Sequence, residues 1–363
     1  MGCACFKTMS ASNFSKTKVP VHANFPKSRK DSICDPTSGW DPFSLDANEL
    51  LESLNCMAGE FSIAEKLNIS GDKLNNFFLE VEKNMPNNPY HNFTHICDVT
   101  QFVMMLVKST RAEGVLTPLE IAALFLGAVS HDLKHPGYSN KYINNEKWEL
   151  VSRFSETSTL EKYHFATFLE LAALCGILSG ISAQEKNGLE RIVENVILST
   201  DMATHKNILE RFQRSQSLAS PSDREFFMSV LLKCADISNQ SRSWTIANRW
   251  NDAVYLEFYR EGDADAKVNR PVDALLNRHT NQVSKSSVGF IGFVVLPLFQ
   301  HLKTMLESTN RDGVLAQGVE VFICNLEENK QRYQKQQQEI DEQKRKCEVE
   351  DLLLAPVSPA SVL

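Results

Sequence analysis

Histidine and aspartate side chains recur along this chain at spacings that suit metal coordination. His91 and His95 lie four residues apart, His131 and Asp132 are adjacent, and Asp236 follows much later. Imidazole and carboxylate together suit borderline and hard divalent ions such as zinc, magnesium and manganese, and such sites can leave positions open for water. Metal-bound water can act as a nucleophile, so the set predicts a metallohydrolase.

Helices are the elements that would position these side chains. Residues four apart share a helical face, so His91 and His95 are expected to point into one cavity. Adjacent His131 and Asp132 work best where a helix ends, and the following Pro136 and Gly137 favour such an ending. Residues 121–129 are apolar nearly all round, which predicts a buried central helix leading to His131.

The rest of the pattern is also helical, and we predict an all-α fold. Capping-box sequences at residues 117–120, 158–161 and 222–225 mark three helix starts. Apolar residues three and four apart extend from residue 46 onward, and almost no stretch alternates in the manner of a strand. We expect a second apolar helix over residues 288–298 and a polar loop over residues 262–273.

Composition divides the chain into three parts. Residues 1–45 are rich in Ser, Lys and Asn and are predicted to be a flexible extension, and residues 46–330 are predicted to form the catalytic domain. Residues 331–363 are predicted to be a charged helix and tail. A solvated helix is favoured there over a coiled coil, because a steady apolar heptad is absent.

Charge and cysteine usage limit the partners and the location. The formal net charge of −7 gives no general attraction to nucleic acid or anionic membranes, and no apolar run approaches the roughly 20 residues of a spanning helix. Nine scattered cysteines fit a reducing compartment, so we expect a cytoplasmic protein. Gly2, Cys3 and Cys5 weakly suggest N-terminal acylation, although Phe6 departs from the usual motif.

An ordered series of motifs resembles the catalytic domain of class I cyclic nucleotide phosphodiesterases over about residues 75–330. The motifs are residues 90–95, residues 131–140, Leu160 and Glu161 with His164, residues 199–202 with His205, residues 233–239 and residues 288–290. Some local features are similar to protozoan, kinetoplastid-type members. The resemblance implies a compact all-helical domain of about sixteen helices with two metals in a deep pocket.

Within this resemblance, the metal-binding positions can be assigned residue by residue. His95, His131, Asp132 and Asp236 match the ligands of the tighter metal, usually zinc. Asp132 also matches the bridge to a second metal, usually magnesium or manganese. The residues that match positions holding ligands and bound waters are His135, Glu161 and Thr200.

The resemblance also implies the reaction. It is hydrolysis of cyclic AMP, and also of cyclic GMP, to nucleoside 5′-monophosphates by a hydroxide held between the two metals. His91 matches the general acid that protonates the leaving 3′ oxygen, a role that suits imidazole because histidine ordinarily titrates near neutral pH. A homodimer is a further expectation.

The base pocket departs from the family pattern at Ser287, where the family has a glutamine that bonds the purine edge. Ser287 could reach the base through water, or Gln282 could substitute in a shifted register. Phe290 matches the residue that stacks on the base. The other positions that match the substrate pocket are Tyr90, Met202, Ile237, Asn239 and Val254.

Two alternatives stay open. A nucleotide phosphohydrolase acting on a linear substrate shares the order of histidines and aspartates, but lacks the motif around His91 and the features at Asn239 and Phe290. A non-catalytic cyclic-nucleotide sensor is suggested by Ser287, although the complete ligand set and His91 argue against it. Asp201 and Asn140 fit a functional role and a polar turn equally well, and Trp250 is predicted to be a core aromatic.

Overall fold

The computed structural model describes residues 33–34, 39–214, 217–309 and 314–354, except the side chains of residues 309, 314–316 and 349–354. Within these ranges the chain forms fourteen α-helices and no strand. The predicted all-α fold is therefore confirmed, and fourteen α-helices with several short 3-10 turns compare with the expected sixteen or so.

The helices are numbered in chain order. They are α1 Ala47–Glu60, α2 Ile63–Lys66, α3 Gly71–Lys83, α4 Phe93–Ser109, α5 Pro118–Ser130, α6 Asn140–Asn145, α7 Glu149–Phe154, α8 Thr159–Cys175, α9 Ala183–Leu198, α10 His205–Arg214, α11 Pro221–Asp236, α12 Trp244–Lys267, α13 and α14 Val314–Leu354. Helix α13 runs as Val283–Phe290, a π turn at Ile291–Val295, and Leu296–Thr309. Short 3-10 helices lie at Pro42–Ser44, Ala112–Gly114, Met202–Thr204 and Ser238–Ser241.

Helix α5 lies at the centre of the fold. Almost all of its residues are buried, and it packs against α4, α9 and α11. The apolar pattern of residues 121–129 correctly predicts this, because a helix without a polar face is stable only when other helices cover it. Helices α4, α5 and α11 then bring the candidate metal ligands to one place at their ends.

The capping box at the start of α5 forms as predicted. The Thr117 hydroxyl accepts a hydrogen bond from the Glu120 N–H, and the Glu120 carboxylate accepts one from the Thr117 N–H. The carboxylate of Glu120 also accepts from Arg224 on α11, at 3.0 Å. This start therefore anchors two neighbouring helices to each other.

The other two predicted capping boxes are wrong. Ser158 has a left-handed backbone with φ of 49° and does not cap α8; its hydroxyl donates instead to the Asp201 carboxylate, at 2.7 Å. Helix α11 is capped by Ser220, whose box partner is Asp223, so the box predicted at residues 222–225 is displaced by two positions. Pro221 favours this start because proline is well tolerated in the first helical turn.

The polar segment at residues 262–273 is only partly a loop. Helix α12 continues to Lys267, and Glu261 and Asp265 on its last turns are buried. Gly262 lies so close to the Leu276 carbonyl group that a side chain there would overlap it. The loop prediction is therefore wrong for residues 262–267. By contrast, the apolar helix predicted at residues 288–298 is present as the middle of α13.

Helix α13 is also long and apolar enough, on length and composition alone, to cross a membrane. The span is Val283–Ser308, with a mean hydropathy of 1.4. Buried core helices pass the same test, and Ile291, Val295 and Leu298 of this helix belong to the hydrophobic core. Polar residues interrupt its apolar stretch, so no continuous apolar run of about 20 residues marks this helix in the sequence.

Aromatic residues just outside both predicted ends of the domain pack against it. Residue 330 falls inside α14, and Tyr333 beyond it is buried against Trp244, with ring centroids 4.8 Å apart. At the other end, Phe43 packs on the fully buried Trp250 with centroids 4.4 Å apart. The predicted acylation residues, most of the predicted N-terminal extension and the last residues of the tail lie outside the described ranges.

Candidate active site

Four predicted metal ligands converge at the ends of three helices. His95 lies in the first turn of α4, His131 and Asp132 directly follow α5, and Asp236 ends α11. The His131 Nε2 atom lies 3.1 Å from Asp132 Oδ2 and 3.4 Å from Asp236 Oδ1. The His95 Nε2 atom lies 3.4 Å from each of the same two oxygens. The four side chains therefore aim their coordinating atoms at one point.

The hydrogen bonding of this cluster fits a divalent cation. The Nδ1–H of His131 donates to the Ala128 carbonyl oxygen at 2.8 Å, so Nε2 is the ring nitrogen that faces the cluster. The Nε2 atoms of both histidines and Asp132 Oδ2 are buried without a hydrogen-bond partner. Although burial raises the pKa of Asp132, the His131 and His95 rings hold it well below its ordinary value. A cation would satisfy all of these atoms.

His91 and His95 meet at the site, but they do not share a helical face as predicted. Helix α4 begins at Phe93, so His91 lies in the turn that precedes it. Asn92 caps the helix, because its side-chain oxygen accepts from the His95 N–H at 3.0 Å. The cap fixes the start of α4 and places the two imidazole rings 5.9 Å apart. His135 likewise lies in the turn after α5 and not on a helix.

Glu257 on α12 holds His91 in place. One carboxylate oxygen lies 2.6 Å from His91 Nδ1, and the other accepts from the N–H groups of Tyr90 and His91 at 2.8 Å and 2.9 Å. These bonds fix the turn and orient the ring, whose side chain remains about a quarter exposed in the pocket. Burial raises the pKa of Glu257, but its bonds with His91 lower it overall. Sequence analysis does not identify Glu257 as the partner of His91.

His135 stacks on His91 with ring centroids 3.7 Å apart. Its Nδ1 accepts from the Gly137 N–H at 3.0 Å, so the proton of the neutral ring lies on Nε2. Burial and the neighbouring His91 lower the pKa of His135 well below its ordinary value. A ring of this tautomer can donate a hydrogen bond to water but presents no free lone pair to a metal ion. Gly137 is required at the turn, because its φ is +72° and a side chain would overlap Arg260.

Glu161 is a further acidic group that lines the pocket with Asp132 and Asp236, two of the candidate metal ligands. Asn140 Nδ2 donates to both of its carboxylate oxygens, at 3.2 Å and 3.0 Å. Burial, together with the negative charge of Asp201, raises the pKa of Glu161 to about 7. Asn140 therefore binds Glu161 in addition to starting α6.

Two further predicted residues contribute to the same wall of the pocket. Thr200 lines the pocket, and its hydroxyl donates to the Ile197 carbonyl oxygen at 2.8 Å. His164 donates from Nδ1 to the Leu133 carbonyl oxygen at 2.6 Å, which leaves its Nε2 lone pair 3.8 Å from Asp132 Oδ1. Burial lowers the pKa of His164 to about 4, so the ring is neutral near pH 7.

The site opens into a pocket of about 540 Å³. Of the predicted substrate-contacting residues, five line it: Tyr90, Met202, Ile237, Val254 and Phe290. Phe290 and Met202 are exposed, as expected of side chains at the wall of an open pocket.

Two predicted base-recognition residues lie behind the pocket wall. Asn239 is buried and accepts from the Tyr90 hydroxyl at 2.7 Å. Ser287 is buried, and its hydroxyl lies 2.9 Å from both the Asn251 side-chain oxygen and the Val283 carbonyl oxygen. Gln282, the alternative to Ser287, is exposed, lies outside the pocket lining and accepts a hydrogen bond from Gln337 at 3.4 Å. Asn251 was not identified from the sequence.

Comparison with known proteins identifies the family of this chain. A family model described as 3′5′-cyclic nucleotide phosphodiesterase matches residues 90–313. The 3′,5′-cyclic-nucleotide phosphodiesterase regA of Dictyostelium discoideum is 32% identical over 324 residues, which are 86% of this chain and 39% of the relative. The high affinity cGMP-specific 3′,5′-cyclic phosphodiesterase 9A of Mus musculus is 30% identical over 266 residues, covering 72% and 49%.

Solved structures show the same fold. The structure of LmjPDEB1 in complex with IBMX has a TM-score of 0.75 and 25% identity, and the match covers 87% of this chain and 98% of that one. The phosphodiesterase domain of the Salpingoeca rosetta rhodopsin phosphodiesterase has a TM-score of 0.73 and 26% identity, covering 83% and 93%. This chain spans less than half the length of the two curated relatives above.

Proposed function

This chain belongs to the 3′5′-cyclic nucleotide phosphodiesterase family, and we propose that it hydrolyses cyclic nucleotides to nucleoside 5′-monophosphates. The observation that carries the proposal is the convergence of His95, His131, Asp132 and Asp236 beside His91, at the base of one pocket. Cation-binding groups and a positioned proton donor are the parts that phosphodiester hydrolysis requires.

We propose that the metal-dependent chemistry of the family uses zinc and magnesium, or manganese, in this chain. Such ions polarise phosphoryl oxygens and lower the pKa of bound water. His95, His131, Asp132 and Asp236 would hold the tighter ion, since mixed nitrogen and oxygen donors suit zinc. Asp132 would also face the second ion, while Glu161, His135 and Thr200 orient the water around it. The Asp132 Oδ1 atom, which faces His164, leaves a second oxygen for such a role.

His91 is proposed to donate a proton to the leaving 3′ oxygen. Glu257 holds Nδ1 at 2.6 Å, which leaves Nε2 to face the substrate. A carboxylate in this place fixes the orientation of the ring, so a proton on Nε2 is held where the leaving oxygen would lie. The same carboxylate binds two backbone N–H groups, so the turn that carries His91 is held as well.

The base is proposed to lie between Phe290 and the apolar side chains of Ile237 and Val254, which line the same pocket. An aromatic ring stacks on any purine, and Ser287 places no long amide at the purine edge. A site without a dedicated hydrogen-bonding group discriminates weakly between bases. We therefore propose that cyclic AMP is a substrate and that cyclic GMP is also hydrolysed.

Product analysis tests the proposal. The purified chain, supplied with zinc and magnesium, is incubated with cyclic AMP, cyclic GMP and a linear nucleoside triphosphate, and products are separated by chromatography. We expect 5′-monophosphates from the cyclic substrates and no hydrolysis of the triphosphate. Turnover of the linear substrate alone would favour the phosphohydrolase alternative. Binding of cyclic nucleotide without metal-dependent turnover would favour a sensor.

The location and assembly of the whole protein are further proposals. A cytoplasmic location is supported by scattered cysteines without paired spacing. A homodimer and N-terminal acylation at Gly2, Cys3 or Cys5 are supported only by the family resemblance and by the sequence motif. Size-exclusion chromatography with light scattering would test the homodimer, and mass spectrometry of the expressed protein would test the acylation.

A further inference from the structure

The segment between α9 and α10 forms one wall of the active-site pocket. Thr200, Asp201 and Met202 of this segment line the pocket, and Thr200 faces the same space as Glu161. Loop backbone is usually held by solvent or by its own turns. In this protein a single buried side chain from another helix holds three successive residues of the segment.

That side chain is Lys233 on α11, which is fully buried. Its Nζ donates to the carbonyl oxygens of Ser199, Thr200 and Asp201, at 3.0, 3.2 and 3.2 Å. Three acceptors account for all three protons of a charged ammonium group. Burial lowers the pKa of Lys233, while nearby carboxylates, including Asp236 and Asp201, oppose the shift.

The buried charge is compensated by carbonyl dipoles, with carboxylates further away. A buried lysine is costly unless its protons are bonded, so this arrangement is expected to persist only if the segment keeps its position. The Lys233 Nζ also lies 3.8 Å from the Met202 sulfur, so the contact extends to the side chain at the pocket wall. Thus one side chain fixes the backbone of the segment and touches its pocket-lining methionine.

The segment in turn holds the start of α8. One carboxylate oxygen of Asp201 accepts from the Ser158 hydroxyl at 2.7 Å, and the other accepts from the Ala203 N–H at 2.8 Å. Ser158 lies at the start of α8, one turn before Glu161. The bonds therefore run from Lys233 through the segment to the helix that carries Glu161.

We propose that Lys233 is a positioning residue that holds Thr200 and Met202 in the pocket and, through Asp201 and Ser158, the start of the helix bearing Glu161. The inference rests on the proposed function, in which Thr200 and Glu161 orient water around the second metal ion. Loss of Lys233 then weakens binding of the second ion and of substrate, whereas the tighter site is kept, because none of its four ligands is held by Lys233.

The test compares Lys233→Met with the unaltered chain. Methionine is of similar length but donates no hydrogen bond, so the three carbonyl groups lose their partner. Binding of Mn²⁺ to the zinc-loaded protein is measured from the electron paramagnetic resonance signal of free Mn²⁺. We expect the affinity for Mn²⁺ to fall about tenfold or more, since loss of an outer partner of a metal site typically has this effect. The KM for cyclic AMP should rise, and the zinc content should stay unchanged.

Val230→Ala is the matched control, because Val230 is a buried residue one turn earlier on the same helix. It lowers stability through a cavity and should leave Mn²⁺ affinity unchanged. Unchanged Mn²⁺ affinity and KM in Lys233→Met would overturn the inference. So would loss of zinc in that variant, or the same Mn²⁺ weakening in Val230→Ala.

A second variant decides the matter if Lys233→Met does not fold. Ser158→Ala removes only the bond between Asp201 and α8, and we expect it to weaken Mn²⁺ binding in the same direction by a smaller factor. If Ser158→Ala binds Mn²⁺ as tightly as the unaltered chain, the inferred coupling from Asp201 through Ser158 to α8 would be overturned. The unaltered chain separates this inference from the proposed function: if it hydrolyses no cyclic nucleotide, the function fails regardless of the variants.

Discussion

At the residue scale, the assignment of His91 depends on Glu257, which lies 166 positions later and bonds the ring at 2.6 Å. We expect His91→Gln to lower kcat by about 10²- to 10⁴-fold, the usual contribution of a general acid. Glu257→Gln should lower kcat less, because an amide can still bond the ring but carries no charge. Zinc content, measured by mass spectrometry, should stay near normal in both variants. Loss of zinc in His91→Gln would show that His91 is a ligand.

Ser287 provides a separate test of base recognition. Ser287→Gln introduces an amide long enough to extend past the buried hydroxyl toward the proposed position of the base beside Phe290. We expect a lower KM for at least one of the two cyclic nucleotides, by several-fold, since a hydrogen bond contributes about 1 kcal/mol. Ser286→Gln, one residue earlier, is the matched control and should leave KM unchanged. Equal KM values in both variants would mean that Ser287 does not face the base.

The site residues that could be predicted from the sequence are those whose type and spacing rarely occur except at a functional site. Histidine and aspartate at metal-ligand spacing fall in this class, as do the pocket aromatics within their motifs. Glu257, Asn251 and Lys233 could not be predicted, because charged and amide residues are common on helices. Their roles arise only from contacts between distant parts of the chain.

At the element scale, the ends of helices are where sequence and structure differ most. Ser158 has a capping-box sequence, but the Asp201 carboxylate takes its hydroxyl, so a tertiary contact replaces the local one. At α11 either of two serines, Ser220 or Ser222, could cap the helix. Ser220 is the cap, because Pro221 is well tolerated in the first helical turn. Both helices nevertheless form: α8 is buried along one side, whereas residues 226–235 of α11 are buried all round.

Asn92 offers an element-scale prediction, because it caps α4 through the N–H of His95, a proposed metal ligand. We expect Asn92→Ala to lower the free energy of unfolding by about 1 kcal/mol, the typical effect of losing a cap, and to weaken zinc binding as well. Asn92→Asp keeps an accepting oxygen and is the control. Urea unfolding with and without zinc measures both effects. A stability loss without any change in zinc affinity would show that the cap does not orient the ligand.

At the scale of the whole molecule, buried neutral histidines make stability depend on pH. Burial and the positive charge of Lys233 lower the pKa of His205 to about 4. Between this value and the ordinary pKa of about 6.5, the unfolded chain binds a proton that the native ring does not, so stability falls as pH falls. We expect His205→Gln to reduce the loss of unfolding free energy between pH 7 and pH 5 by about 1–2 kcal/mol.

Urea unfolding at the two pH values measures this difference. The control is His279→Gln, because His279 is exposed and should not change the pH dependence. If His205→Gln loses as much unfolding free energy between pH 7 and pH 5 as the unaltered chain does, then His205 is not held neutral in the folded state.

The C-terminal limit of the folded domain is the last whole-molecule question, since the predicted boundary at residue 330 falls inside α14. Asn329 Nδ2 donates to the carbonyl oxygens of Gln240 and Arg242, both at 2.9 Å, and Tyr333 is buried one turn later. Beyond Tyr333 the described side chains are exposed or only partly buried. The helix therefore belongs to the domain through Tyr333, contacts α13 again at Gln337, and is exposed over residues 338–348.

Two variants separate these parts of α14. Tyr333→Ala should lower the free energy of unfolding by about 3 kcal/mol, the usual effect of removing a buried aromatic side chain, whereas exposed Gln334→Ala should have almost none. A chain ending after residue 340 should unfold at the same urea concentration as the full chain. If that truncation destabilises the protein as much as Tyr333→Ala does, then the outer part of α14 packs against the domain and the structural boundary lies beyond residue 340.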